Sequence, residues 1–316
     1  QMTDYNSNYG NDVTADYYSN DGFVPPKGLE YVKYSLDIWL GYPLAMVLNL
    51  MLFIKFVRAP KIKGEPWLIA NTSFIAFLMS FDLLNAYLPF TYGVPSLRTT
   101  VLCPAFALGH MVFLYMYVIS NFLVIIERFH ALRLGKEDGG FGKKAAILCL
   151  VLFWVLVSIA IMLAYIAEPL IYGSDIYSNY RSTCYLNFSY SQDFMALFLW
   201  AFTTPAFIVA FIGTLVLRNR KTTTPAMIES NVKPTLAASS LGFFLIVLNL
   251  TLEILPIIVY VPTLRQNTYL LPSALSLLHM IAFPVIWLVT WTKNGDISFK
   301  CCKGNDDEEK QLLQPK

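Results

Sequence analysis

Charge is scarce in this sequence. Asp, Glu, Lys and Arg together make up 14% of its 316 residues, whereas soluble domains carry about 25%. With 56% hydrophobic residues beside so little charge, a water-soluble domain is excluded. Histidine and cysteine are also rare, at three and five. No His, Asp, Glu or Cys cluster has metal-ligand or nucleophile spacing, so no catalytic residue, metal site or cofactor is expected. Internal repeats and interrupted apolar runs, which mark many transport folds, are missing too. This argues against a transporter or intramembrane enzyme. The first 30 residues hold no apolar core, so no signal peptide is expected there, and the first apolar run would act as its own insertion signal.

Long hydrophobic runs take the place of charge. Seven occur, at about 36–57, 67–90, 101–126, 145–167, 194–217, 236–261 and 269–291. Each is close to the roughly 20 residues that cross about 30 Å of hydrocarbon as a helix. The expected fold is an all-α membrane protein: a seven-helix bundle over 34–293, after a polar tail at 1–33. A short amphipathic helix at 294–303 and a polar tail at 304–316 would follow. Only five of the 23 Lys and Arg residues, Lys27, Lys33, Arg98, Arg181 and Arg265, fall on one side if the N-terminus is placed outside. Basic residues collect in short cytoplasmic loops, so the N-terminus is expected outside a plasma membrane and the C-terminus inside. The net charge of +2 hides this asymmetry. It carries no sign of a nucleic-acid partner; the lipid bilayer is the partner the composition demands.

Several residues stand at telling places along these runs. Cys103 opens the third, and Glu127–Arg128–Phe129 closes it 24 residues later, about 36 Å along a helix and so about one bilayer. Cys184 lies in the long polar connection after the fourth run. Asn49 and Trp154 sit inside runs one and four, and Pro205, Pro256 and Pro284 inside runs five, six and seven. Proline is tolerated in membrane helices because neighbouring groups re-satisfy the freed carbonyl. Together these residues resemble the rhodopsin-like (class A) G-protein-coupled receptors over about residues 36–303. The form is divergent, in the manner of a virus-encoded, chemokine-receptor-like member.

The resemblance implies a disulfide between Cys103 and Cys184, helix kinks at Pro205, Pro256 and Pro284, and coupling to a heterotrimeric G protein through Glu127, Arg128 and Phe129. A receptor dimer is a further partner it allows. Arg128 has a second reading, as a basic residue that merely snorkels to the membrane surface. Asn49, Asp82 and Glu253 are expected to face the bundle interior, because acids within membrane spans are expensive to expose. His110 and His279 are candidate ligand contacts, or simply packed histidines.

The pattern also departs from the family. Glu253–Ile254–Leu255–Pro256 replaces a Cys-Trp-x-Pro sequence, Phe283–Pro284–Val285–Ile286–Trp287 replaces Asn-Pro-x-x-Tyr, and Gly213 stands near the place of a helix-five tyrosine. A working sodium pocket around Asp82 is therefore not expected, and either high basal signalling or weak ligand dependence is. No acid lies between Cys103 and Glu127, which argues against an amine ligand, and no lysine lies in the seventh run, which excludes retinal. Tyr5, Tyr9, Tyr17 and Tyr18 stand among acids and are candidate sulfation sites, favouring a basic peptide or chemokine-like ligand. Asn187–Phe188–Ser189 is a glycosylation sequon; Asn71–Thr72–Ser73 and Asn249–Leu250–Thr251 match as well but lie within runs. Cys301 and Cys302 are candidates for palmitoylation. A ligand-capturing or receptor-pairing protein that activates no G protein is the alternative function.

Overall fold

The computed structural model describes residues 28–58, 65–92, 103–134, 140–172, 177–180, 183–186 and 270–293, with helical residues at several positions between 201 and 216. These residues are almost entirely helical. Helix α1 runs through Leu29–Leu36, a π-helical turn at Asp37–Gly41, and Tyr42–Val57. Next come α2 (Glu65–Tyr92), α3 (Cys103–Leu134), α4 (Lys143–Tyr172), a hairpin of β1 (Tyr177–Tyr180) and β2 (Thr183–Leu186), and α5 (Leu270–Lys293). In the antiparallel hairpin Asn179 faces Cys184.

Among the described residues, four helices are long and apolar enough to cross a membrane: Tyr31–Val57, Glu65–Leu88, Leu108–Ala131 and Lys143–Ala167. They coincide with the first four expected spans. Helix α5, with its apolar stretch Ala274–Val289, falls on the seventh. Separate helical residues between 201 and 216 fall within the fifth; the rest of that run, the sixth and the expected amphipathic helix lie outside the described residues. The first helix begins at Leu29 rather than at residue 36, and α3 continues past Phe129 to Leu134.

Helix α2 lies against α1 and α3, α3 against α4, and α5 against α1. The π turn has a local cause. Pro43 has no N–H to give the carbonyl four residues back, and the Tyr42 N–H bonds Asp37 instead, five back. The turn brings Gly41 so close to α5 that a Cβ there would run into the Leu277 side chain.

Polar side chains tie these helices together from within. Asn49 donates to the carbonyls of Ala45 and, across to α5, Met280, both at 2.8 Å. Asn71 on α2 donates to Ser120 Oγ on α3 at 2.7 Å and accepts the indole N–H of Trp154 on α4 at 3.0 Å. One amide thus joins three helices and turns an apparent sequon into an internal fastener. Buried hydroxyls also close on their own helix: Thr72 on Leu68, Ser73 on Ile69 and Ser80 on Ala76, the last also reaching Met280 Sδ on α5 at 3.6 Å. The outward faces are apolar, with Leu148, Leu152, Leu156, Ile159 and Leu163 exposed along α4. In water this stripe would be an aggregation surface; in a bilayer it is the correct solvent contact.

Replacing Asn71 by Leu keeps the branched heavy-atom outline but strands Ser120 and Trp154. Hydrogen bonds between membrane helices contribute about 0.6 kcal/mol each, so a loss of about 1 kcal/mol is expected, read as a lower Tm of the detergent-solubilised chain. An unchanged Tm would show that this amide does not hold α2, α3 and α4 together.

Candidate functional site

Among the described residues, charge is densest around Arg128. Both Glu127 and Arg128 are buried, at 0% and 3% exposed. The guanidinium Nε lies 3.1 Å from Glu127 Oε2, and Nη2 forms an ion pair with Oε2 of Glu65, the first residue of α2. Arg128 therefore does not snorkel outward; its head group turns inward between two carboxylates. The second Glu127 oxygen, Oε1, accepts the backbone N–H of Gly140 at 2.8 Å and of Phe141 at 3.4 Å. One glutamate thus holds the arginine and the chain segment that leads from α3 into α4.

This approach depends on glycine. A Cβ on Gly140 would lie 2.7 Å from both the Ala131 nitrogen and the Glu127 carbonyl oxygen, backbone atoms that cannot turn aside. Phe129, next along α3, packs its ring where Gly213 offers no side chain, and a Cβ at Gly213 would collide with it. The glycine standing near the place of a helix-five tyrosine is therefore the counterpart of Phe129. Beside the clamp, Lys143 Nζ at the start of α4 sits 5.1 Å above the ring of Trp67, fastening α4 to the same end of α2.

Removing one member of a buried ion pair leaves an uncompensated charge, which costs about 3–5 kcal/mol. The three-residue clamp can therefore act as a latch. It is stable while complete, and any partner that satisfies the guanidinium in place of Glu65 can open it.

The remaining candidate residues are distributed as follows. Asp82 is buried on α2, with Oδ2 2.7 Å from His110 Nδ1 on α3. His279, 2% exposed, has Nδ1 2.5 Å from the Tyr117 hydroxyl. Of the two histidines only His110 keeps an open edge, its side chain being 25% exposed. Asn49 is engaged with the carbonyls of Ala45 and Met280. Pro284 is inside α5 and Pro205 is among the helical residues between 201 and 216. Phe283 and Trp287 are buried, their rings 6.4 Å apart, with Trp287 edge-on to Phe56 of α1 at 6.1 Å. Aromatic packing thus occupies the stretch of α5 where the resembled family has polar groups. Cys103 opens α3, and the strand with Cys184 lies against α2 and α3; the side chains of both cysteines lie outside the described residues. So do Glu253, Pro256, Asn187, Tyr5, Tyr9, Tyr17, Tyr18, Cys301 and Cys302.

Sequence reasoning did not find Glu65, Gly140 or Tyr117. Glu65 reads as an ordinary acid in the first turn of a helix, and Gly140 as one loop glycine among several. Tyr117 reads as lining of an apolar run.

Gly140→Ala is expected to destabilise the detergent-solubilised chain by about 1–3 kcal/mol, as overpacking does. Gly142→Ala should leave Tm unchanged, because nothing lies within 4 Å of a Cβ there. Equal effects from the two alanines would contradict the close approach to Glu127.

No family model and no curated protein matches this chain, so its function has to be argued from its own residues.

Proposed function

We propose that this chain is a divergent receptor of the rhodopsin-like type: a seven-helix bundle that passes an extracellular signal to a heterotrimeric G protein. The carrying observation is Arg128, buried at the Glu65 end of α3 between Glu65 and Glu127. In this reading that end faces the cytoplasm, in accord with the placement of the basic residues, and the hairpin end faces outward. The clamped arrangement is the resting state. Signalling shifts the population toward a state in which Arg128 leaves Glu65 and meets the G protein. The ligand class is a basic peptide or chemokine-like protein, drawn to the tail that carries Tyr5, Tyr9, Tyr17 and Tyr18.

A second reading is ligand capture or receptor pairing without G-protein activation. The Phe283–Trp287–Phe56 packing favours it, because an apolar contact in α5 offers no polar relay toward Arg128.

Expressing the chain in cells and measuring basal second messenger and G-protein recruitment separates the two. With Arg128→Ala, recruitment is expected to fall by at least about tenfold. With Glu65→Gln, which removes one of the two carboxylates, basal recruitment is expected to rise by about tenfold, the change that 1.4 kcal/mol makes in a two-state equilibrium. Recruitment that survives Arg128→Ala unchanged would rule out the role given to this arginine. No recruitment from the chain or from Glu65→Gln, with or without basic peptides, would establish the second reading.

A further inference from the structure

Helix α1 carries no charged residue from Ile38 to Ile54. This stretch is bracketed by Asp37 on one side and by Lys55 and Arg58 on the other. Trp39 and Arg58 are 19 positions apart, about 28 Å of helix and close to the roughly 30 Å of a bilayer's hydrocarbon. Along the outward side of the stretch Leu40, Leu44, Val47, Leu50, Met51 and Ile54 are exposed, as lipid contact requires. Just beyond it, Lys33 Nζ and Asp37 Oδ2 form an ion pair at 2.6 Å, which a headgroup layer accommodates far better than hydrocarbon does. Charge and length therefore both put the edge of the hydrocarbon beside Trp39.

Trp39 is 73% exposed, yet its polar atom is engaged. The indole N–H donates to the Tyr92 hydroxyl on α2 at 2.8 Å, and the Tyr92 ring also meets Tyr31, edge-on at 6.1 Å. Tyr31 is itself exposed. Having accepted the indole N–H, the Tyr92 hydroxyl retains its own O–H to donate. Amphipathic rings thus meet on the surface where α1 joins α2, at the depth where α1 changes from apolar to charged. In the hydrocarbon core the remaining O–H would find no acceptor. The layer of lipid ester carbonyls and phosphates supplies acceptors for it and a half-apolar setting for the rings.

We propose that Trp39 and Tyr92, with Tyr31, form an interfacial anchor seated among the glycerol esters and phosphates of phospholipids in the leaflet opposite Arg58. The anchor fixes how deep α1 and α2 sit in the membrane and holds the Lys33–Asp37 end of α1 in the headgroup layer. In the receptor reading this is the outer leaflet, but the anchoring itself does not require G-protein coupling.

The test uses the purified full chain in phospholipid nanodiscs and reads tryptophan fluorescence. The lipids carry a nitroxide quencher either at the top of the acyl chain or near its terminal methyl, about 15 Å apart in depth, half the hydrocarbon. Trp39 is one of six tryptophans, so its emission is taken as the difference between the chain and Trp39→Phe. The shallow nitroxide is expected to quench this difference at least about twofold more strongly than the deep one. Val47→Trp places a ring about 12 Å further along the exposed side of α1, and its added emission should show the reverse order. Arg128→Ala should leave both patterns unchanged, so a failure of G-protein coupling is distinguishable from a failure of the anchor. If Trp39→Phe does not fold, Trp39→Tyr takes its place. Equal or stronger quenching of Trp39 by the deep nitroxide would put the ring inside the hydrocarbon. Quenching by aqueous acrylamide and by neither nitroxide would put it in water, and quenching by none of the three would mean that a second copy covers it. Any of these results would overturn the proposal.

Discussion

The arrangement at one end of the bundle depends on a buried guanidinium. Arg128 is 3% exposed, and a cation so placed is tolerable only with carboxylates at hand. One comes from its neighbour Glu127, the other from the first residue of α2. That requirement sets where α2 begins relative to α3. Because Glu127 also accepts the Gly140 and Phe141 amides, it draws the entry to α4 to the same place. A single charge thus aligns the ends of three helices.

Away from that end the helices are joined by neutral polar contacts. The Asn71 amide ties α2, α3 and α4, Asn49 ties α1 to α5, and Tyr117 with His279 ties α3 to α5. Between lipid tails and a leucine-rich helix there is no hydrophobic gain in burial, so contacts of this kind and close packing decide which faces meet. Each additional bond contributes modestly, whereas breaking the clamp leaves a buried charge uncompensated. The end bearing Arg128 is therefore where a change of state has the largest energetic consequence.

The sequence made the helices legible because hydrocarbon thickness sets their length. The runs at 36–57, 67–90, 101–126 and 145–167 fall on helices long and apolar enough to cross a membrane. The helix starts were less legible. The tail at 1–33 has little apolar content overall, yet Leu29, Tyr31 and Val32 already belong to α1. Arg128 drew attention by its spacing to Cys103, and Asp82 by being an acid in an apolar run, but neither partner could be read. Glu65 is 63 positions from Arg128 in the chain and His110 is 28 from Asp82, and nothing local in a sequence links residues that meet only once helices pack. Gly140 and Gly213 were opaque for a similar reason, since their importance lies in what approaches them.

The central claim is that Arg128 and Glu65 act as one unit across the α2–α3 contact. A double-mutant cycle on the thermal stability of the full chain in nanodiscs, with Glu65→Gln, Arg128→Gln and the pair together, tests it most directly. A true clamp predicts strong coupling: the double variant is less destabilised than the two single losses combined, by about 0.5–3 kcal/mol, because neither charge is then left alone. Additive losses would mean that the two side chains do not depend on one another, and would contradict the account.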